Sequence, residues 1–473
     1  MTARLSVTAA PVPLEAYAAQ FDDLFAQRSQ RAGFRRYLEG LLLPAERNKT
    51  LTGLANTAPV VGAQHARAQG LQWFLRESTW AAAALNARRL ALLCADPLTA
   101  PDAQGVLVID EHGDRTWGHQ TAHVGRQYLA NLGKTDSGVV AVTSLWADAR
   151  VSYPLDDEPY TPKHHFATGK ADPAFRTTLP IAGALVTAAV AAAVPFRAVV
   201  ADSFSGEDAG FCQRLHALRV GYVLARKPSH GWWHQEGTIG TLKGAAAAAG
   251  WRDPLHPGAW VRVVRPCRDR HTETWWALEV VAGPYGYAPR LRAVVATTDP
   301  ATLPDHRTRY LATNLPTPDE PVIAAGALPS ADLAEVVRLY GLRRWVEQRD
   351  KRTKYALGWS QYQVRSDQAM RRHWQLVCCA FSFCWWHASH AATAITGWPD
   401  EEVAPQPTAD EMAPPPTADE AVGRGENTPP APARVLAGGA ARRARLARAV
   451  DHAPALLAQL VAAAPAARAA GPA

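Results

Sequence analysis

Cysteine is scarce in this chain. Only six occur among 473 residues: Cys94, Cys212, Cys267, Cys378, Cys379 and Cys384. None forms a Cys-x-x-Cys pair and no histidine completes a zinc spacing, which excludes zinc-finger and zinc-ribbon modules. The thiols read as reduced and mostly buried, the pattern of a cytoplasmic protein. A signal-peptide core is lacking too, since MTARLSVTAAPVPLEAYAAQ holds no apolar stretch of the needed length. The longest apolar run, IAGALVTAAVAAAVPF at 181–196, is short and Ala-rich. It reads as a buried helix, and no membrane partner is expected. No repeat of solenoid period occurs. LGKT at 132–135 hints at a phosphate loop, but Tyr128 stands where a Walker motif needs glycine. His164 and His165 have no third metal ligand at a recognisable spacing.

What is present can build a core. Hydrophobic residues make up 48% and charged residues 20% of a chain long enough for roughly two to four domains. A net charge of +7 with a pI near 9.1 permits an acidic partner without proving one. Sixteen tryptophans is a high count. Trp232, Trp233, Trp251, Trp260, Trp275 and Trp276 read first as core, and otherwise as platforms on which bases stack.

The chain divides by pattern. Residues 14–100 carry apolar residues at three- and four-residue steps and read as an all-helical module. The character changes at 105. GVLVID (105–110), GVVAVTSLWA (138–147) and ARVSYPLDD (149–157) read as strands, followed by a helix at 181–193. FRAVVAD (196–202) is a strand, EDAGFCQRLHALR a helix and GYVLAR (221–226) another strand. Three strands, helix, strand, helix, strand predict a mixed α/β sheet over 105–231. Residues 232–325 read as a β-rich insertion. Helical pattern resumes over 326–395, in SADLAEVVRLYGLRRWVEQRDKRTKYALG and in DQAMRRHWQLVCCAFSFCWWHASHAAT, the latter apolar on one side. From 398 to 473 the chain turns Pro-, Ala- and acid-rich, a disordered linker ending in a basic tail.

Three acids occupy comparable places. Asp110 and Asp202 each end an apolar strand, and Glu347 lies on the helix after the insertion. Alone, each is as well explained as a cap or turn residue. Together they can converge on a pair of divalent cations, because hard oxygen ligands suit Mg²⁺ or Mn²⁺. On the Glu347 helix, Tyr340, Arg343, Glu347 and Lys354 fall within an arc of roughly 60°. One carboxylate is thus flanked by a phenol and two cations, an arrangement able to hold a metal beside an anion.

At these residues the sequence resembles a bacterial insertion-sequence transposase of the DDE class. Tyr340, Arg343, Glu347 and Lys354 match all four positions of a Tyr-x2-Arg-x3-Glu-x6-Lys signature (YREK) that marks one branch. VGRQYLANLGKTDSGVVAVTS (124–144) is similar to a block that follows the first Asp, and VVADSFSGEDAGFCQRLHALRVGYVLAR (199–226) to the second-Asp segment. The resemblance covers about residues 20–395. It implies an RNase H-like core interrupted by the β-rich insertion, and a metal-binding catalytic triad of Asp110, Asp202 and Glu347. It implies two Mg²⁺ ions, with Mn²⁺ as a substitute. It further implies that Tyr340, Arg343, Arg344, Lys354 and Arg126 contact DNA, and that the 14–100 module binds it. The expected partners are double-stranded element ends and target DNA, held by a dimer, in a nucleoid-associated cytoplasmic protein. One departure stands out. Relatives usually have Asp-Asp-Thr-Gly at the first acid and then a Lys-rich turn, whereas this chain has IDEHGDRTWGHQ (109–120). Glu111 keeps the second carboxylate, and Asp114 competes weakly for the metal role. The altered turn motivates an alternative, a catalytically impaired, domesticated transposase-like DNA-binding regulator.

Overall fold

Glutamine begins the first long helix in place of a usual cap. The backbone N–H of Gln27 donates to the Gln30 side chain at 3.0 Å, and α2 (Arg28–Leu42) follows, burying Phe34, Tyr37, Leu38 and Leu41 at helical spacing. Around it lie α1 (Val12–Ala19), α3 (Leu51–Leu54), α4 (Ala66–Arg76) and α5 (Ala82–Ala95). The computed structural model describes residues 12–44, 48–233, 239–266, 272–280, 291–319, 328–396 and 449–456.

The sheet begins with β1 (Val106–Arg115), β2 (Gly125–Leu129), β3 (Lys134–Ala147) and β4 (Ser152–Pro159), all antiparallel about the long β3. After α6 (Thr178–Ala191), β5 (Ala198–Ala201) pairs parallel with β1. The short α7 (Ser203–Gly206) and α8 (Ala209–Ala217) lead to β6 (Tyr222–Arg226), parallel to β5. A small hairpin, β7 (Gly231–Trp233) with β8 (Ile239–Thr241), and α9 (Leu242–Ala247) precede β9 (Val261–Pro266), β10 (Thr272–Val280), β11 (Arg292–Thr297) and β12 (Thr308–Thr313). These last four strands continue the same sheet, because β12 pairs antiparallel with β6. The path is β2-β3-β1-β5-β6-β12-β11-β10-β9, with β4 also pairing β3, on the edge opposite β1. The result is a mixed α/β fold consistent with an RNase H-like core.

Two differences from the sequence reading bear on the site. First, β1 does not end at Asp110. It runs on to Arg115 because β3 supplies an antiparallel partner down to Gly138. What ends near Asp110 is the parallel half of the pairing, whose last paired residues are Val108 and Val200. Second, the short strand β2 lies where no strand was read.

Alternation sorts the strands between two cores. Val106 and Val108 of β1, with Ala198 and Val200 of β5, face the side covered by α10 (Leu333–Leu357), where Val336, Leu339 and Leu342 are buried. Leu107, Ile109, Val199 and Ala201 face the other side, with Ile181, Val186 and Leu215 of α6 and α8. That second core is continuous with the helical module through α11 (Asp367–Thr396). Expected to be apolar on one side, α11 is buried on every side from Arg372 to Trp385, as a helix enclosed by neighbours must be. Tyr17 Oη donates to the Cys379 carbonyl at 3.1 Å. Arg372, 1% exposed, donates to the carbonyls of Leu75 at 2.8 Å and Ser78 at 2.6 Å at the end of α4. The helical segment at 449–456 adds Ala449, Ala453 and Leu456 to the same cluster; the rest of the tail lies outside the described residues. Cys94, Cys212, Cys378, Cys379 and Cys384 are free thiols, all buried but Cys94, while Cys267 lies outside the described residues. No described helix is long and apolar enough to cross a membrane.

Candidate active site

Register brings together the two strands that lead to the first two acids. Val106 lies opposite Ala198, Leu107 opposite Val199 and Val108 opposite Val200. The pairing ends there: Asp110 stands two residues further along β1, and Asp202 is the first residue after β5. Asp110 shares the α10 face with Val106 and Val108. Asp202 leaves the sheet directly after β5 and caps α7, its Oδ1 accepting from the Ser205 N–H at 3.1 Å. The plain reading of Asp202 as a cap is therefore true, and it fixes the carboxylate at the sheet edge.

The signature helix crosses this edge. Arg343 donates from Nη2 to Asp110 Oδ1 at 3.1 Å. Tyr340, one turn earlier, lines the same cavity as Arg343 and Asp202. The helix continues unbroken through 344–355 and ends at Gly358, which takes a left-handed φ of 72°. The side chains of Arg344, Glu347 and Lys354 lie outside the described residues.

Glu111 points the other way. It shares the face of Leu107 and Ile109 and accepts a hydrogen bond from Thr178 at the start of α6. Burial pushes its carboxyl above the usual range, with Asp202 and Asp110 adding to the push against that bond. Asp114 stays on the face of Asp110 but four residues further along, where its charge adds to the burial that raises the half-buried Tyr362 phenol. Among the described residues no group of three or more His, Cys, Asp or Glu could hold a metal ion. His164 and His165 both turn Nε2 to the Val124 carbonyl, at 3.0 and 2.7 Å. LGKT forms the turn into β3, with Gly133 at a φ of 65°.

The cavity beside Asp202 has a volume of about 610 Å³ and is lined by Arg226, Arg265, Arg309, Tyr340 and Arg343 among others. Three of these arginines come from β6, β9 and β12, and sequence reasoning missed them. Their signal was present: two apart on a strand, Arg265 shares the face of buried Val263, and Arg309 that of buried Leu311. Nothing local, however, said that those strands join the catalytic sheet. Arg265 lies so close to α10 that a Cβ on Gly341 would stand 2.8 Å from its guanidinium. Of the tryptophans singled out above, Trp275 reaches this cavity, while Trp260 and Trp276 are core and Trp251 packs edge-on against Trp276 at 4.6 Å. The side chains of Trp232 and Trp233 lie outside the described residues. Arg126 is exposed on β2.

Comparison with known proteins agrees with this geometry. The family model described as DDE superfamily endonuclease matches residues 20–275. The chain is 31% identical over 352 residues to a protein of Microchaete diplosiphon described as a probable transposase for insertion sequence element IS701, covering 74% of this chain and 81% of that protein. A divalent metal is general in this class of nuclease. With Asp110 on β1, Asp202 directly after the neighbouring parallel strand and Arg343 of α10 hydrogen-bonded to Asp110, the chain belongs to the DDE superfamily endonucleases, as an insertion-sequence transposase.

Proposed function

We propose that the protein binds the terminal inverted repeats of its own element through the helical module, cuts the ends in a metal-dependent reaction and joins the freed 3′ ends to target DNA. The observation that carries this reading is the hydrogen bond from Arg343 to Asp110, on the strand beside the one that Asp202 follows. Asp110, Asp202 and Glu347 would hold two Mg²⁺ ions, or Mn²⁺ in their place. The two described carboxylates fit such ions in kind, being hard oxygen donors carried by neighbouring strands. When bound, the ions supply the positive charge that activates water or a 3′-hydroxyl and stabilises the leaving oxygen.

The chain's own groups orient the DNA. Arg343, which donates to Asp110, lines the cavity beside Asp202, and its forked guanidinium is the group that suits a phosphate entering there. Tyr340 lies beside it, and helical spacing supports Arg344 and Lys354 as further contacts to the DNA backbone, with Arg126 a more distant one. Joining two ends calls for a dimer in the DNA complex, working in the cytoplasm on the nucleoid.

The test is a labelled duplex carrying the inverted repeat that flanks the gene, incubated with Mg²⁺ and either the wild type or Glu347→Ala. Nicking that the variant loses supports the proposal. Tight binding without nicking, in Mg²⁺ or Mn²⁺, would replace it with the regulator.

A further inference from the structure

The turn between β1 and β2 presents the most exposed aromatic side chain among the described residues. Trp117 is 78% exposed. The Arg115 guanidinium lies over its ring, 3.8 Å from the centre, and covers one face. Arg115 is itself held by Asp136 of β3 at 3.2 Å. The ends of the turn are fixed as well. The Thr116 N–H donates to the Ser137 carbonyl at 3.1 Å, and the Ala122 N–H to the Arg365 carbonyl at 2.8 Å. His123, 7% exposed, is hydrogen-bonded through its two ring nitrogens to Thr161 Oγ1 and Asp367 Oδ1, each at 2.8 Å. A ring backed by a paired arginine and open in front is a preformed platform.

The platform stands beyond the far end of the signature helix. Contacts between α10 and the β1 segment advance together along both. Arg338 donates to the carbonyl of Gln104, just before β1, at 3.3 Å, and Arg343 to Asp110 at 3.1 Å. The chain that follows α10 then meets the turn that follows β1, at Arg365 and Ala122. A duplex held along α10 from Arg343 towards Lys354 is thus led towards Trp117. The turn, TWGHQTAH at 116–123, carries no acid to repel it.

We infer that Trp117 stacks on one nucleobase of the bound DNA end, an inference that rests on the transposase reading. The ring is uncharged, and its open face suits the flat face that every base presents, so the contact tolerates any sequence. The guanidinium behind it keeps the platform attractive to a polyanion. A base inside a duplex must leave the stack to be met, and an apolar wedge at a loosened step achieves that. Seven residues separate Asp110 from Trp117, a span of at most about 25 Å. The base therefore lies within about one helical turn of the cut, a turn being about 34 Å.

The experiment uses the full chain and the end duplex, with single bases removed as abasic sites along both strands. The variants are Trp117→Ala and Trp117→Phe. In the wild type, one abasic site within a helical turn of the cut should weaken binding about fivefold or more. Trp117→Ala should bind the intact duplex more weakly by about the same factor and lose its sensitivity to that one site, with the other positions unchanged. Its salt slope should stay that of the wild type, because stacking releases no counterion. Trp117→Phe, smaller but flat, should fall between the two. A Trp117→Ala variant with wild-type affinity and abasic pattern, from a wild type that nicks in Mg²⁺, overturns the stacking alone. A smaller salt slope in that variant makes the contact one with phosphate and overturns it too. A wild type that binds no duplex overturns the stacking and the transposase reading together. A variant that changes the oligomeric state without DNA, and not the DNA affinity, assigns Trp117 to a second copy of the chain and overturns the inference.

Discussion

Arg343 on α10 and Asp110 on β1 meet at 3.1 Å with side chains only 12% and 15% exposed. The contact ties the signature helix to the strand that bears the first acid, although the two residues are 233 apart in sequence. It also sets that guanidinium in the lining of the cavity beside Asp202.

Arg343 should therefore separate charge from geometry. Arg343→Lys keeps the charge but not the fork, so the salt slope of end binding should hold while affinity falls about tenfold. Arg343→Ala should lower the slope by about one as well. It should also cost about 3 kcal/mol of stability, because Asp110 is left without its partner. Binding titrations at several salt concentrations, with urea unfolding beside them, check both.

Asp202 has two duties that two substitutions pull apart. Asn caps helices about as well as Asp, so Asp202→Asn should unfold like the wild type and yet fail to nick. Asp202→Ala should lose nicking and about 1 kcal/mol besides. Glu111→Gln provides the contrast: its side chain points to α6, so nicking should stay within a few-fold of wild type. Loss of nicking in Glu111→Gln would put the metal on the wrong face of β1.

Gly206 closes α7 against β6. A Cβ there would stand 1.9 Å from the Ala225 carbonyl oxygen, which is backbone and cannot swing away. Gly206→Ala should force α7 off the sheet and carry the Asp202 carboxylate with it. About 2–4 kcal/mol of stability and most of the nicking should be lost together. Thermal unfolding and the nicking assay on one preparation test that coupling.

His373 should make stability depend on pH. It is fully buried, its Nε2 donating to the Gly358 carbonyl at 3.0 Å and its Nδ1 accepting from Tyr37 Oη at 2.7 Å. Burial pushes its pKa down to about 4, against the pull of the carbonyls of Gly358 and Trp359. The unfolded chain, near 6.5, binds the proton first as pH falls. The contribution is thus whole above about pH 6.5 and is lost on the way down to about 4, about 3 kcal/mol in all. Asp157, whose carboxyl burial raises, works in the opposite sense. The difference between wild type and His373→Gln isolates the histidine, and it should shrink by about 2 kcal/mol from pH 7 to pH 5.

The site was legible where local pattern suffices. An apolar run closed by an acid marked Asp110 and Asp202, and helical spacing brought out Tyr340 and Arg343. Pairing was not legible. That β1 continues past Asp110 depends on β3. That β9 to β12 lengthen the catalytic sheet depends on Leu311 finding Ala225, and no local spacing encodes a partner so distant. β2 was overlooked because GRQYL is short and half polar. Its pattern makes sense only once Leu129 is seen to pack on Gly113 and Gly138.

The enclosure of α11 has a consequence for how the molecule is made. The helices before residue 96 bury their apolar faces on Trp374, Phe381 and Phe383, which are among the last of the core to be synthesised. At about 5–20 residues per second, some 290 residues and about 15–60 s separate the two. A growing chain on the ribosome therefore carries an unfinished helical module for most of its synthesis. If that module grips DNA, it can do so only when the catalytic sheet is already complete, so birth order guards against an end-binding fragment that cannot cut.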